Sequence, residues 1–346
     1  MRALLKSKAG PGAALADLAA PRIGKDDLLV KVRRASICGS DMPIYNWYSW
    51  APRRFPLPMV FGHEFCGEVA EVGAAAKGFR KGDFVSIESH VYCGKCPQCR
   101  SGQQHVCREL KIMGIDLPGG FAEYARVPAR CAWKHRTKGL EDVGSLLEPM
   151  GNAVYAALVE KIAGKSVLVL GCGPQGLFAV AAAKSGKARP VIAVDGSAFR
   201  RRLATRMGAD LTLDPAAPDY AARVRKAAGD PGGVDVVLEM SGAPAAIEAG
   251  LKAVKSGGRV TAFGIPPGPL SIDWANDIVF KGIRVFGIAG RQIFGTWKTM
   301  DRLLKAKAID PRPVVTHRFP ISRFQDAFAV MNSPKKDCGK VVLEIS

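Results

Sequence analysis

The run Val167-Leu168-Val169-Leu170-Gly171-Cys172-Gly173-Pro174-Gln175-Gly176 constrains this chain more than any other stretch. Four apolar, mostly branched residues read as a buried strand. The Gly-x-Gly-x-x-Gly after them permits a tight turn and a close backbone approach to a pyrophosphate. Leu177 to Ala183 then read as a helix whose N-terminal amides and positive dipole end would face that phosphate. A second apolar strand, Val191-Ile192-Ala193-Val194, ends at Asp195, near the spacing of about 20 residues expected of an acid that binds a ribose. The glycines alone carry little weight, and a helix packed on a sheet with no ligand would use them too. Strand, glycines, helix, strand and terminal acid in that order predict a dinucleotide site.

The remaining length, in a chain of 346 residues, leaves room for a second domain. Hydrophobic residues make up 48% of the chain, enough for two cores. Lys6 and Lys8 interrupt the first apolar stretch, and no apolar run approaches the roughly 18 residues of a membrane span, so the expectation is a cytoplasmic protein. The formal charge of +19 raises the question of nucleic acid. The basic residues are dispersed, the longest run is Arg200-Arg201-Arg202, and no nucleic-acid motif accompanies it. A solvated basic surface that attracts an anionic cofactor is the simpler account.

Nine cysteines could mean disulfides. Four of them crowd between Cys93 and Cys107, which suits a metal in a reducing compartment better. Cys93-x-x-Cys96-x-x-Cys99 with Cys107 eight residues on can wrap one ion tetrahedrally. With no open position, that zinc would be structural and its binding energy would be folding energy. A redox dithiol is the rival reading. His105 lies inside the lobe and reads as a surface residue. Elsewhere Cys38, His63 and Glu64 offer a thiolate, an imidazole and a carboxylate, a donor set that leaves zinc one open position. Each could instead be an ordinary core residue. Beside a nucleotide fingerprint they form a candidate catalytic centre.

Residues 1–35 alternate short strands with charged turns and read as mainly β. The aromatic segment from Tyr45 to Trp50 reads as a pocket wall, a subunit contact or simple local packing. Residues 165–290 alternate strands with helices, which predicts a doubly wound parallel sheet with its ligand at the carboxyl ends of the strands. A helix is expected from Thr296 to Lys307, and a last strand, Lys340–Ile345, is expected to rejoin the first domain.

Taken together, Ser36-Ile37-Cys38-Gly39-Ser40-Asp41, Ile44-Tyr45-Asn46-Trp47, Gly62-His63-Glu64, Gly151-Asn152-Ala153, Glu239-Met240-Ser241-Gly242-Ala243-Pro244, Ser271-Ile272-Asp273-Trp274 and Thr316-His317-Arg318-Phe319 resemble the zinc-dependent medium-chain dehydrogenases over the full length. Several of these segments are most similar to the threonine-oxidising branch. The resemblance implies an α/β fold: a GroES-like, mainly β catalytic domain (1–148 and 291–346, with the zinc lobe at 90–110) interrupted by a Rossmann domain (149–290). It implies a homotetramer, NAD as cofactor, a catalytic zinc on Cys38, His63 and Glu64, and a structural zinc on Cys93, Cys96, Cys99 and Cys107. Ser40 would pass a proton, Glu148 would assist near the metal, and His90 would lie near the substrate. Besides Gly171, Gly173, Gly176 and Asp195, the implied cofactor positions are Gln175, Arg200, Phe263, Gly264, Ile265, Ile288 and Ala289.

The expected reaction is oxidation of a secondary alcohol, foremost the 3-hydroxyl of L-threonine. Polyols or other amino alcohols are the first alternative, and a non-catalytic NAD-binding protein is a further one. One departure stands out: the family usually has a histidine three residues after the relay hydroxyl, and here that position is Pro43.

Overall fold

The computed structural model describes residues 1–135 and 139–346. It divides into two compact units. One comprises Met1–Glu148, Gln292–Trp297 and Val315–Ser346; the other comprises Pro149–Arg291 and Lys298–Val314. The helix Gly295–Lys305 contributes to both. Among the described residues no helix is long and apolar enough to cross a membrane.

The first unit is built on a seven-stranded sheet, and its order explains why the chain end matters to the site. Asp27–Ser36 is the central strand. It pairs antiparallel with Glu64–Val72, with Tyr124–Pro128 and with the C-terminal strand Lys340–Glu344. Val342 lies opposite Ser36, and Ser36 lies opposite Glu64. Residues far apart in sequence therefore meet in one row. The alternation Leu28, Val30, Val32 buries one face of the central strand completely, as a period of two requires. Phe61, Phe65, Phe121 and Phe328 fill the core beneath it.

The aromatic segment resolves into local packing. Tyr45 lies in the helix Asp41–Asn46 and stacks on Phe328 with ring centroids 4.0 Å apart. Trp47 and Trp50 pack on the same core, and Tyr48 is left half exposed.

The second unit holds a six-stranded parallel sheet. Its order is Leu211–Leu213, Val191–Val194, Val167–Leu170, Val234–Glu239, Val254–Ala262, Arg284–Gly287. The first strand in sequence is central and the chain winds outward on both sides of it, which is the doubly wound pattern. Val167–Leu170 and Val191–Val194 are buried throughout, as strands covered on both faces must be. The helix Pro174–Ser185 is almost wholly buried on its apolar residues.

Candidate active site and metal centres

The loop Ile37–Asp41 follows the central strand, and the turn Gly62–His63 precedes the neighbouring one. These two strand ends bring Cys38, His63 and Glu64 together, with ligand atoms all within 4.8 Å of one another. Asp41, in the first turn of its helix and fully buried, organises them. Its Oδ2 accepts the Cys38 N–H at 2.8 Å, and its Oδ1 stands 3.4 Å from His63 Nδ1. That pairing turns His63 Nε2 toward the cluster, where Ser40 Oγ lies 3.3 Å away. Ser40 begins the helix without capping it through its side chain, so its hydroxyl is free for other bonds.

Glu64 is fully buried, accepts a hydrogen bond from Ser36 Oγ, and meets Lys340 Nζ at 2.6 Å. Burial raises the Glu64 pKa, with Glu148 adding to the rise, against the pull of Lys340 and His63. Burial works against the His63 imidazolium, but the Asp41 and Cys38 charges prevail and lift its pKa well above the ordinary value. Lys340 is likewise disfavoured by burial and then raised above its ordinary value by Glu64 and Cys38. Cys38, Glu64 and Glu148 thus all bear on the buried Lys340. A donor set of sulfur, nitrogen and oxygen with this surplus of negative charge fits a divalent zinc ion.

The four cysteines of the lobe converge as expected of a tetrahedral site. Their sulfurs are 3.5 Å apart for Cys96–Cys99 and Cys93–Cys107, 3.8 Å for Cys96–Cys107 and 4.0 Å for Cys93–Cys99. Four Zn–S bonds of about 2.3 Å set tetrahedral S···S spacings of about 3.8 Å. A disulfide would need about 2.05 Å, and none of the nine cysteines is in a disulfide among the described residues. Backbone N–H groups bond the Cys93 and Cys107 sulfurs, and those of Arg108 and Cys99 pull the Cys96 thiol down to about 6. Burial and then the Cys96 side chain push Cys99 up to about 12. His105 is buried, not on the surface as its sequence position suggests, because a short 3₁₀ turn, Gln104–Val106, tucks it inward.

His90 is only 12% exposed at its side chain, with Nδ1 2.9 Å from Glu88 Oε1. Ser89 donates from Oγ to Glu148 Oε1 at 2.6 Å, so His90 and Glu148 belong to one hydrogen-bonded group. Pro43 is buried within its helix, and its ring offers no atom that can take a proton.

In the parallel sheet the proposed cofactor residues follow the carboxyl ends of four strands. Gly171 follows Leu170, Asp195 follows Val194, Phe263-Gly264-Ile265 follow Ala262, and Ile288-Ala289 follow Gly287. Gly171 has φ +90°, and a Cβ on Gly176 would fall 1.7 Å from Gly171 O, so the close strand–helix approach requires glycine at both. A Cβ on Gly173 would meet nothing within 4 Å, leaving a cradle at the helix N-terminus. Gln175 Oε1 is buried there without a hydrogen-bond partner. Asp195 accepts the Cys172 N–H on one oxygen at 2.7 Å and the Ser197 N–H on the other at 2.8 Å. Arg200 lies in the following helix, its N–H on Ser197 Oγ. A pyrophosphate and an adenosine ribose fit this arrangement.

Asp41, Lys340 and Glu88 were not assigned roles from sequence. Asp41 stood inside a quoted motif. Lys340 left a faint trace, a charge opening a strand whose middle three residues are apolar.

Two family models match the chain: the alcohol dehydrogenase GroES-like domain over residues 24–137 and the zinc-binding dehydrogenase over residues 174–306. An L-threonine 3-dehydrogenase of Bacillus licheniformis is 46% identical over 343 residues, covering 99% of this chain and 98% of the relative. One of Pyrococcus horikoshii is 45% identical with the same coverage. The crystal structure of an Escherichia coli alcohol dehydrogenase complexed with NADH superposes with a TM-score of 0.91 at 26% identity, over 100% of this chain and 99% of that one.

Proposed function

The chain belongs to the zinc-dependent medium-chain dehydrogenases, and from that membership we propose that it oxidises the 3-hydroxyl of L-threonine with NAD to give 2-amino-3-ketobutyrate. The observation that carries the reading is the convergence of Cys38, His63 and Glu64 beside Ser40, in a chain so similar to threonine dehydrogenases from end to end.

Cys38, His63 and Glu64 would hold a catalytic zinc, and Cys93, Cys96, Cys99 and Cys107 a structural one. When bound, zinc supplies the Lewis acidity that lowers the pKa of the substrate hydroxyl, and NAD supplies the hydride acceptor. Ser40 takes the hydroxyl proton. Because Pro43 has no basic atom, the proton leaves Ser40 through water, or through the group made by Glu148, Ser89 and His90. Asp41 Oδ1, 3.4 Å from Nδ1, orients the His63 ring, and Lys340 opposes the rise in the Glu64 pKa and holds its carboxylate in place. Glu148 and His90 serve the substrate. Gly171, Gly173, Gln175 and Gly176 receive the pyrophosphate, and Asp195 with Arg200 receives the adenosine ribose. The turns Phe263–Ile265 and Ile288–Ala289 receive the nicotinamide half. Asp195 would accept from the ribose hydroxyls and repel a 2′-phosphate.

We further propose that the chain is a cytoplasmic homotetramer. Nine cysteines and no disulfide among the described residues suit a reducing compartment. Arg284–Gly287 is the edge strand of the parallel sheet, and Val285 within it and Trp274 and Phe280 just before it in sequence are half exposed or more, which suits burial against a second copy.

A rate comparison with zinc-loaded enzyme tests the substrate. NADH should form from L-threonine with a higher kcat/KM than from sorbitol, galactitol 1-phosphate or 2-propanol. Pro43 favours a second reading, a polyol dehydrogenase, because the usual relay is missing; faster turnover of sorbitol than of threonine would establish it.

A further inference from the structure

We propose that Glu239 is a positioning residue for the dinucleotide: its buried carboxylate holds the turn at residues 240–242 as a wedge between the glycine turn at Gly171 and the turn at residues 263–265. The proposal rests on the reading of those two flanking turns as the places of the pyrophosphate and of the nicotinamide half.

Glu239 ends the strand Val234–Glu239, which lies in the parallel sheet between Val167–Leu170 and Val254–Ala262. The residue is only 2% exposed. Its Oε1 accepts from Ser241 N at 2.9 Å, Ser241 Oγ at 2.5 Å and Gly242 N at 3.1 Å, and Gly242 N also lies 3.2 Å from Oε2. Ser241 Oγ in turn accepts the Ala243 N–H at 3.0 Å. The main-chain carbonyl of Glu239 accepts the N–H groups of Phe263 and Gly264 at 3.0 and 3.1 Å. One residue therefore ties two neighbouring turns, its own through the side chain and the next through the backbone.

The wedge touches both flanking turns. A Cβ on Gly171 would fall 2.7 Å from Ser241 Cβ. A Cβ on Gly264 would fall 2.0 Å from Gly242 N and 2.5 Å from Glu239 Oε2. No spare space remains on either side, so a shift at 240–242 is passed to the turns beside it.

The donors explain the residue type. Two backbone N–H groups and a hydroxyl point at one place, and a carboxylate accepts without donating. With alanine at 239 the buried Gly242 N–H is orphaned and Ser241 Oγ loses its acceptor, so the turn relaxes to recover partners. A dinucleotide that needs several turns at once must then order them as it binds, and that ordering is subtracted from its affinity. AMP has no nicotinamide half. Its ribose would meet Asp195 and Arg200, which follow a different strand, Val191–Val194.

The test titrates the zinc-loaded full-length protein with NADH and with AMP by calorimetry, beside steady-state kinetics. Glu239→Ala should raise the Kd for NADH and the KM for NAD about 10- to 100-fold, the worth of a lost charge-assisted acceptor. The Kd for AMP should change less than about threefold, and kcat at saturating NAD should stay within about twofold. General damage to the fold would instead lower kcat and weaken both ligands alike. Glu239→Gln keeps an oxygen at the Oε1 place for Ser241 and Gly242, so its Kd for NADH should return to within about threefold of the wild type. Ser241→Ala removes one donor and serves where Glu239→Ala does not fold; NADH should bind about 3- to 10-fold more weakly and AMP as before. An unchanged NADH affinity in either alanine variant, an equal loss for NADH and AMP, or a glutamine variant as weak as alanine overturns the proposal. A wild type that binds neither NADH nor AMP overturns instead the cofactor reading on which it rests.

Discussion

Asp41 and Lys340 determine how the metal-facing side chains stand, and neither is a ligand. Asp41 ties the Cys38 backbone and faces the His63 ring; Lys340 Nζ sits 2.6 Å from Glu64. Asp41→Asn keeps the shape but removes the charge that favours His63, so zinc affinity at this centre should fall about 10- to 100-fold, measured by competition with a chelator. Ser40→Ala should lower kcat for threonine by about 10²- to 10⁴-fold with zinc content unchanged, and Ser40→Thr should restore much of it. Cys38, His63 and Glu64 were legible in sequence because their donor chemistry marks them, whereas Ser40 was read from the family resemblance alone. Lys340 was not: it meets Glu64 across 276 residues, and no local pattern encodes a pairing made by sheet topology. Glu88 was missed for a related reason. Two of its donors come from the adjacent His90, but another, Trp297, lies 209 residues away.

The zinc lobe has almost no apolar core. Cys96, Cys99 and Cys107 pack with Tyr92, Cys93 and Leu110, and little else is buried there. The metal takes the place of that core. Removing zinc, or Cys96→Ser, should open the lobe to proteolysis between residues 93 and 107 and leave the nucleotide unit resistant; a lobe that stays protected without metal would contradict this. The cysteine spacing made the element legible, while the burial of His105 depends on a single 3₁₀ turn that spacing does not encode. In the parallel sheet, the turn after Val191–Val194 holds Asp195 through two backbone N–H groups. Asp195→Ser should lower the NAD over NADP preference by roughly tenfold or more, the worth of one charge-assisted hydrogen bond at about 1.5–3 kcal/mol. An unchanged preference would remove Asp195 from cofactor choice. The glycine fingerprint was the clearest signal in the chain because strand, turn and helix are contiguous there.

At the scale of the molecule, several carboxylates are held below their ordinary pKa. For Asp83, Asp116 and Asp235, burial works the other way, but Lys134, Arg54 and Lys255, respectively, together with backbone N–H groups, outweigh it. A depressed native pKa gives stability that is complete above the unfolded value of about 4 and is lost as pH falls through the native values. The urea midpoint should therefore hold from pH 7 to about 5 and fall below about 4, and Asp116→Asn should flatten that fall. The last strand was expected to rejoin the first domain, and it pairs with the central strand of the first unit, whereas residues 298–314, expected there too, group with the nucleotide unit.

The central claim is that Cys38, His63 and Glu64 hold a zinc of their own, separate from the cysteine lobe, and that NAD-linked oxidation depends on it. The most direct measurement is the zinc content per chain of the wild type and of Cys38→Ser. The account predicts one zinc for each of the two ligand clusters in the wild type. In Cys38→Ser it predicts loss of the zinc at that cluster alone, with NADH formation from L-threonine abolished and NAD binding kept. Wild-type enzyme that oxidises threonine with zinc in the cysteine lobe only, or Cys38→Ser enzyme with full zinc and full activity, would contradict it.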